Sequence, residues 1–307
     1  MENYFKIILK KQRIIFLYIS VFFDKNMPEL PEVQTIVSDL SKNILDKKII
    51  NLKIILAKIT KNNIKILKNK KFTKIIRRGK YIFIKIENDD YLAIHLRMTG
   101  QLIYKKNHTV IAGGHSENKN NFILPSKHTH VVISFEDKST LYYNDQRQFG
   151  YLEIINDKQL KEYFLKLGIE PLSKKFDLDF FSNLMENKKQ NIKAFLLNQK
   201  YIAGIGNIYA DEILFKSKVK PTRNIKSLQK KEIKNLFHAI KSILKKAIEK
   251  RGTTFNNYVD AKGNKGEFLN FLKVYNREGE KCSRCENIII KNKIASRGTN
   301  YCNVCQK

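Results

Sequence analysis

A chain of 307 residues exceeds one typical domain and suggests two, each large enough to bury a core, and no internal repeat is apparent. Its 59 Lys and Arg against 29 Asp and Glu give a formal charge of +30, which points to a polyanionic partner, most simply nucleic acid. Abundant Lys, Ile and Asn with no Trp are the bias of an AT-rich genome, so part of that charge is ordinary solvated surface.

The apolar run at residues 14–23 follows Lys10, Lys11 and Arg13, as in the first two regions of a secretory signal. It is too short to span a bilayer, and Phe22-Phe23-Asp24-Lys25-Asn26 lacks the small residues of a cleavage site. Residues 1–26 are therefore expected to be an extension outside the mature protein, with a start codon assigned too early. A cleaved leader and an interfacial anchor are the alternatives. The stretch Met27-Pro28-Glu29-Leu30-Pro31-Glu32-Val33 reads as a second beginning. Removal of Met27 would leave Pro28 with a free secondary amine one residue from the Glu29 carboxylate. A free α-amino group titrates near ~8 against roughly 10.4 for lysine, so far more of it is available as the neutral nucleophile. A proline amine sits somewhat higher and still forms an iminium with an aldehyde-like carbon. A Pro-rich linker ahead of a helix is the bland alternative.

From Pro31 onward, Val33, Ile36, Val37, Leu40 and Ile44 recur at spacings of three and four, which predicts an amphipathic helix. Proline is tolerated in its first turn because the first amides have no helical partner. Between about 48 and 156 the pattern changes to short β-rich runs, 81–86, 91–96 and 131–135 among them, punctuated by Gly, Asn and Asp as in an antiparallel sandwich. Lys105 to Ser126 is polar and is expected to be a loop. After Gly168-Ile169-Glu170-Pro171-Leu172 the chain turns helical, and Ile233, Leu236, Phe237, Ile240, Ile243, Leu244, Ala247 and Ile248 form one long apolar face. A domain boundary is expected near 157–175.

Two spacings carry chemistry. Cys282-x2-Cys285 and Cys302-x2-Cys305 hold all four cysteines of the chain, the pattern of one four-thiolate structural zinc on two knuckles. Two disulfides would use the same residues, but paired C-x2-C spacing favours the metal. Gly204-x-Gly206-Asn207 lacks the third glycine of a dinucleotide loop. It reads instead as a tight turn whose amides, with the Asn207 side chain, could grip a phosphate at a helix start.

Taken together, Pro28-Glu29-Leu30-Pro31-Glu32-Val33, Arg77-Arg78-Gly79-Lys80-Tyr81, His95-Leu96-Arg97-Met98-Thr99-Gly100, Lys127-His128-Thr129-His130, Asp145-Gln146-Arg147-Gln148-Phe149-Gly150, Gly204 to Glu212 and the cysteine module resemble the bacterial formamidopyrimidine-DNA glycosylases, in family order and over essentially everything after residue 26. The resemblance implies an α+β protein of two domains. An N-terminal antiparallel β-sandwich flanked by helices (27–160) would be followed by a helical helix-two-turns-helix domain (170–272) and a four-cysteine zinc finger (273–307). It implies a cytoplasmic, monomeric base-excision repair enzyme with no membrane association, acting on double-stranded DNA that contains a damaged base. Such an enzyme removes oxidised purines and then cuts the abasic strand by β- and δ-elimination, with no cofactor beyond one structural zinc per chain.

By the same resemblance Pro28 is the nucleophile, Glu29 the acid, and Lys80 and Arg297 the proton donors in elimination. Lys189, Asn207, His95 and His128 would contact phosphates, the histidines as readily protonated imidazoles. Met98, Arg147 and Phe149 would fill the hole left by an extruded base, whose lost stacking costs a few kcal/mol. Asp260 to Gly266 would cover the lesion. Gln146 and Gln148 depart from the family's usual proline and second arginine around Arg147. The alternative branch, the oxidised-pyrimidine glycosylase endonuclease VIII, usually has glycine where this chain has Leu30. A non-catalytic damaged-DNA-binding protein is the alternative from another class if residues 1–26 are retained, because Pro28 would then be an amide.

Overall fold

The computed structural model describes residues 27–114, 123–253 and 267–307. The extension at 1–26, residues 115–122 of the polar stretch and the segment Asp260 to Gly266 lie outside the described residues. Helix α1 (Leu30–Ser41) is the amphipathic helix anticipated after Pro31, and it buries Leu30, Val33, Ile36, Val37 and Leu40.

Two antiparallel sheets follow. One has strand order β1-β7-β8-β5-β6, from β1 (Ile49–Ile54), β5 (Gly100–Lys106), β6 (Thr109–Gly114), β7 (Thr129–Phe135) and β8 (Thr140–Asp145). The other has order β2-β3-β4-β9, from β2 (Phe72–Arg78), β3 (Tyr81–Ile86), β4 (Tyr91–His95) and β9 (Tyr151–Ile155). The alternation of β3 explains how they stack. Ile82, Ile84 and Ile86 enter the core shared with α1 and the five-stranded sheet, while Phe83 faces the other way against Tyr91, Ala93 and Ile155. That second face is covered by Leu160, Tyr163 and Phe164 of α2 (Asp157–Lys166).

The polar stretch from Lys105 is not all loop. Residues 105–114 belong to a β5–β6 hairpin, in register from Gln101↔Gly114 to Lys106↔Thr109. Ile111 and Ala112 are buried there, and a Cβ on Gly113 would meet Ile36 Cγ1 at 2.4 Å. This edge strand is recruited by contact with α1, which a short run of mixed polarity does not announce.

The second domain is helical: α3 (Leu178–Met185), α4 (Ile192–Leu197), α5 (Asn207–Ser217) and α6 (Lys230–Glu249). The apolar face of α6 buries Leu236, Phe237, Ala239, Ile240, Leu244 and Ala247, with the leucines, the isoleucine and the phenylalanine each contributing about 1.5–3 kcal/mol. Phe237 meets Phe176 and Phe181 at ring-centroid distances of 5.4 and 6.2 Å. Nearly every residue of α5 is buried, acids included. The chain closes on a hairpin of β10 (Ile290–Ile294) and β11 (Arg297–Tyr301), seated through Ile289, Cys282 and Cys302 on Phe215 of α5 and on Val274. The architecture is a two-domain α+β fold with a terminal four-cysteine cluster. Among the described residues no helix is long and apolar enough to cross a membrane.

Candidate functional site

The site forms where the start of α1 meets the start of α5. The Glu29 side chain, 2 % exposed, accepts from the amides of Gly206 at 2.7 Å, Ile208 at 2.9 Å and Tyr209 at 3.4 Å. The sequence reading assigned these helix-start amides to a phosphate. In the folded chain a carboxylate 177 residues upstream of Gly206 occupies the same anion-binding position. The two glycines of the turn are required by this approach. A Cβ on Gly206 would lie 2.3 Å from Glu29 Cδ, and Gly204, at φ +93°, would put one 2.6 Å from Leu30 Cβ. Leu30 N also donates to Gly204 O at 3.1 Å. Pro28 is buried beside this junction.

Burial pushes the Glu29 carboxyl up to about 7; the positive charge of Lys80 opposes the shift, the neighbouring Glu32 adds to it, and the helix-start amides oppose it. Glu29 can therefore carry a proton near neutrality, the property a general acid needs. Glu32 ties the same junction from one turn further along. It accepts from Glu29 N at 3.0 Å, from the Tyr209 hydroxyl at 2.5 Å and from Thr253 N at 2.8 Å.

Lys80 ends the two-residue turn between β2 and β3 and is 7 % exposed. Burial draws its ammonium down, Glu29 and Glu32 pull it back up, and Arg297 pushes it down, so the four groups share one electrostatic neighbourhood. The turn is fixed by a clamp. Glu170 accepts from Arg77 at 3.1 and 2.6 Å, from Arg78 at 3.2 Å and from Gly79 N at 2.6 Å, while Arg78 also donates to the carbonyls of Leu167 and Gly168. This clamp locks the Lys80 turn onto the segment joining the two domains. Arg297, exposed at the start of β11, follows a hairpin tip in which Ala295 and Ser296 both have left-handed φ, +51° and +59°.

Met98 comes together on the surface with Arg147 and Phe149 although it is read from a separate motif. The Arg147 guanidinium reaches Met98 Sδ at 3.2 Å and lies 5.1 Å from the centre of the Phe149 ring, and Phe149 is 56 % exposed. Asp145, fully buried, holds the loop from beneath: it accepts from the Thr99 hydroxyl, from Arg147 N at 3.2 Å and from Gly150 N at 2.7 Å. Gln148 adopts a left-handed φ of +56° between them. An apolar ring and a cation held outward on a rigid base can enter a space opened in a partner.

The four residues expected on phosphates have different settings. Lys189 is exposed, and its carbonyl accepts from Asn224 Nδ2 at 2.7 Å; His128 is half-exposed. Asn207 starts α5, but its side-chain NH2 donates to Gly298 O at 2.9 Å and so binds the terminal hairpin. His95 differs from expectation. It is 5 % exposed, its Nδ1 accepts from Arg97 N at 3.0 Å, and its ring packs edge-on to Tyr81. Burial, with Arg97, Lys80 and Lys61 nearby, lowers it to about 3, so the imidazole of the free protein is neutral and would meet a phosphate as an Nε2–H donor rather than as a cation.

The four cysteine sulfurs lie within 4.8 Å of one another. Cys282 and Cys305 Sγ are 3.9 Å apart and Cys285 and Cys302 Sγ 3.5 Å apart, well beyond a disulfide bond and close to the sulfur spacing of about 3.8 Å set by tetrahedral Zn–S bonds near 2.3 Å. Amides of Arg284 and Cys305 point at Cys282 and Cys302 Sγ at 3.4 Å, as around metal-bound thiolates. The residues fit one structural zinc that closes the base of the β10–β11 hairpin.

Sequence reasoning missed Glu32, Asp145, Glu170, Lys193, Asp211, Glu212 and Thr299 as structural parts of the site. One signal was available. Asp211 and Glu212 stand side by side in the mostly apolar middle of α5, and both are buried and accept from backbone amides: Asp211 from Asn300 N, and Glu212 from Lys273, Val274 and Tyr275 N.

The chain matches the family model for the formamidopyrimidine-DNA glycosylase N-terminal domain over residues 27–152 and the model for the H2TH domain of the same glycosylase over 167–258. Residues 279–307 match the zinc finger found in FPG and IleRS. A formamidopyrimidine-DNA glycosylase of Carboxydothermus hydrogenoformans is 40% identical over 286 residues, spanning 92% of this chain and 100% of the relative. One of Pelotomaculum thermopropionicum is 37% identical over 288 residues, spanning 92% and 99%. A Lactococcus lactis Fpg variant in complex with Fapy-dG containing DNA is similar at TM-score 0.80 and 35% identity, covering 91% of this chain and 100% of that one. The L. lactis Fpg complex with abasic-site DNA gives 0.79 and 36%, covering 91% and 99%.

Proposed function

The chain belongs to the formamidopyrimidine-DNA glycosylase family, and from that premise we propose that it excises oxidised purines, 8-oxoguanine and formamidopyrimidines, from duplex DNA and cuts the abasic strand through an imine on Pro28. The observation that carries the mechanism is the Glu29 carboxylate on the start of α5, which sets the Pro28–Glu29 pair of one domain against the helical domain, in the electrostatic neighbourhood of Lys80.

The nitrogen of Pro28 attacks C1′ of the damaged nucleotide. Glu29, raised by burial so that it is protonated near neutrality, gives its proton to the sugar-ring oxygen as the ring opens, and the base departs with the bonding pair of its glycosidic bond and takes up the proton released from the Pro28 nitrogen. The resulting iminium acidifies the proton on C2′. Its loss expels the 3′ phosphate, and a second elimination expels the 5′ phosphate, with Lys80 and Arg297 supplying protons and positive charge to the departing groups. Met98, Arg147 and Phe149 occupy the gap in the duplex. His95, His128, Lys189 and Asn207 line the backbone, Asn207 while tethered to Gly298. All of these residues lie on one chain, so a monomer suffices. Zinc, held by Cys282, Cys285, Cys302 and Cys305, supplies no chemistry and fixes the hairpin that carries Arg297.

This chemistry requires a free amine on Pro28, hence a chain beginning there. Two observations support such a start: the N-terminal family model matches from residue 27, and the relatives are covered over 99–100% of their length by 92% of this chain. The test is a duplex with one 8-oxoguanine opposite cytosine, incubated with zinc-loaded protein verified to begin at Pro28. A one-nucleotide gap with phosphate at both ends is expected. An intact strand would overturn the proposal.

A further inference from the structure

Behind the exposed Arg297 lies a hydrogen-bonded chain with no access to water. Lys193 of α4 is 0 % exposed and donates from Nζ to Asp211 Oδ1 and to Thr299 Oγ1, each at 2.6 Å. The Thr299 hydroxyl donates onward to the Arg297 carbonyl at 3.1 Å, and the other Asp211 oxygen accepts from Asn300 N at 2.8 Å. Thr299 and Asp211 are fully buried as well. The next carbonyl along β11, that of Gly298, takes the Asn207 amide. Two successive carbonyls at the start of β11 are thus tied, directly or through one hydroxyl, to donors on α4 and on α5, the second of which also receives Glu29.

A buried ion pair is weak evidence for stability, because its desolvation cost offsets its attraction and an apolar replacement of similar volume is often neutral or better. What such a pair does provide is one fixed geometry. Two left-handed residues, Ala295 and Ser296, form the two-residue turn immediately before Arg297, a geometry that suits Asn or Gly rather than Ala and Ser, so the turn residues by themselves do not favour the conformation that sets Arg297.

We propose that Lys193 is a positioning residue for the second elimination: by joining Asp211 to Thr299 it fixes the backbone of Arg297, and with it the guanidinium, relative to Pro28 and Glu29. The role rests on the function proposed above. It separates the two halves of the reaction, because imine formation uses Pro28 and Glu29, whereas departure of the 5′ phosphate uses Arg297.

The experiment is single-turnover cleavage of the 8-oxoguanine duplex by zinc-loaded protein beginning at Pro28, scoring borohydride-trapped imine and the ratio of β- to δ-elimination products. Lys193→Met and Thr299→Val should lower the δ-elimination rate on the order of tenfold or more, since a small misplacement of a reacting group carries a penalty of that size. Trapped imine and zinc content should stay close to those of the parent, and Thr299→Ser should restore the parental ratio by restoring the hydroxyl. If Lys193→Met does not fold, the Thr299 pair decides alone. Parental product ratios in Thr299→Val, or equal loss of imine and δ product in a zinc-loaded variant, would overturn the role of Lys193. Failure of the parent protein to form an imine would instead overturn the function on which it rests.

Discussion

The Glu29 carboxylate closes the amino end of α5 through the amides of Gly206 and Ile208, at 2.7 and 2.9 Å, across a sequence separation of 177 and 179 residues. One contact therefore joins the two domains, removes an acid from water and places it beside the proposed nucleophile. In the proposed mechanism, catalytic protonation and domain assembly share this single side chain.

Glu29→Gln should separate those duties. Base removal should fall on the order of 10²–10⁴-fold, the range for loss of a positioned proton donor, while the amide oxygen continues to accept from α5. Stability should respond in the opposite sense. The folded carboxyl sits near 7, above its unfolded 4.5, so between these values the native state binds more protons and the contribution of Glu29 to stability declines as pH rises. Denaturant melts at pH 5 and pH 8 should show Glu29→Gln gaining relative to the parent at the higher pH. Parental activity in this variant would remove Glu29 from the acid role.

Glu170→Gln tests the clamp behind Lys80. It strips the carboxylate from Arg77 and Arg78, leaving two half-buried guanidinium groups uncompensated, at a cost of about 3 kcal/mol. Glu170 is held below the usual carboxylate range; burial opposes this and the bonds from Arg77 and the other donors outweigh it. Its contribution is present above the unfolded value and lost as pH falls, so the variant and the parent should converge in acid. Urea unfolding across pH checks both the size and the sign.

Phe149→Ala should leave stability within about 0.5 kcal/mol, as for surface changes that touch no buried feature, while slowing excision from duplex DNA. A ring filling the vacated base position is dispensable when the substrate has no stack to break. Comparison of duplex with single-stranded damaged oligonucleotide should show the larger loss on the duplex; equal loss on both would remove Phe149 from the void-filling group.

Zinc removal should act through the hairpin. A chelator that lowers the protein mass by one zinc should abolish cleavage and loosen Ile289 and Val274 from Phe215, leaving the N-terminal sandwich folded. Hydrogen exchange of the described residues would resolve the two regions, and protection lost equally in both would contradict a local role for the metal.

Much of this is legible in the sequence, and the physical reason differs by element. The helix after Pro31 and the face of α6 show a single period over several residues, because each buries one side against a large core, while β3 is a short β-rich run because both of its faces are covered. The paired cysteines are legible because a four-sulfur site needs that spacing. What stayed hidden depends on partners far along the chain. Nothing local says that the double-glycine turn faces Glu29 rather than a phosphate, that His95 is buried and neutral, or that β6 exists beneath Ile36. Lys193 is one lysine among many in a basic chain, and nothing local marks it as 0 % exposed.

The most direct test is borohydride trapping on the 8-oxoguanine duplex, followed by intact mass and peptide mapping of the adduct. A covalent DNA adduct on Pro28 as the first residue, with zinc bound, is the predicted result. Zinc-loaded protein verified to begin at Pro28 that binds the duplex yet yields no adduct, or an adduct on a lysine instead, would contradict the imine mechanism.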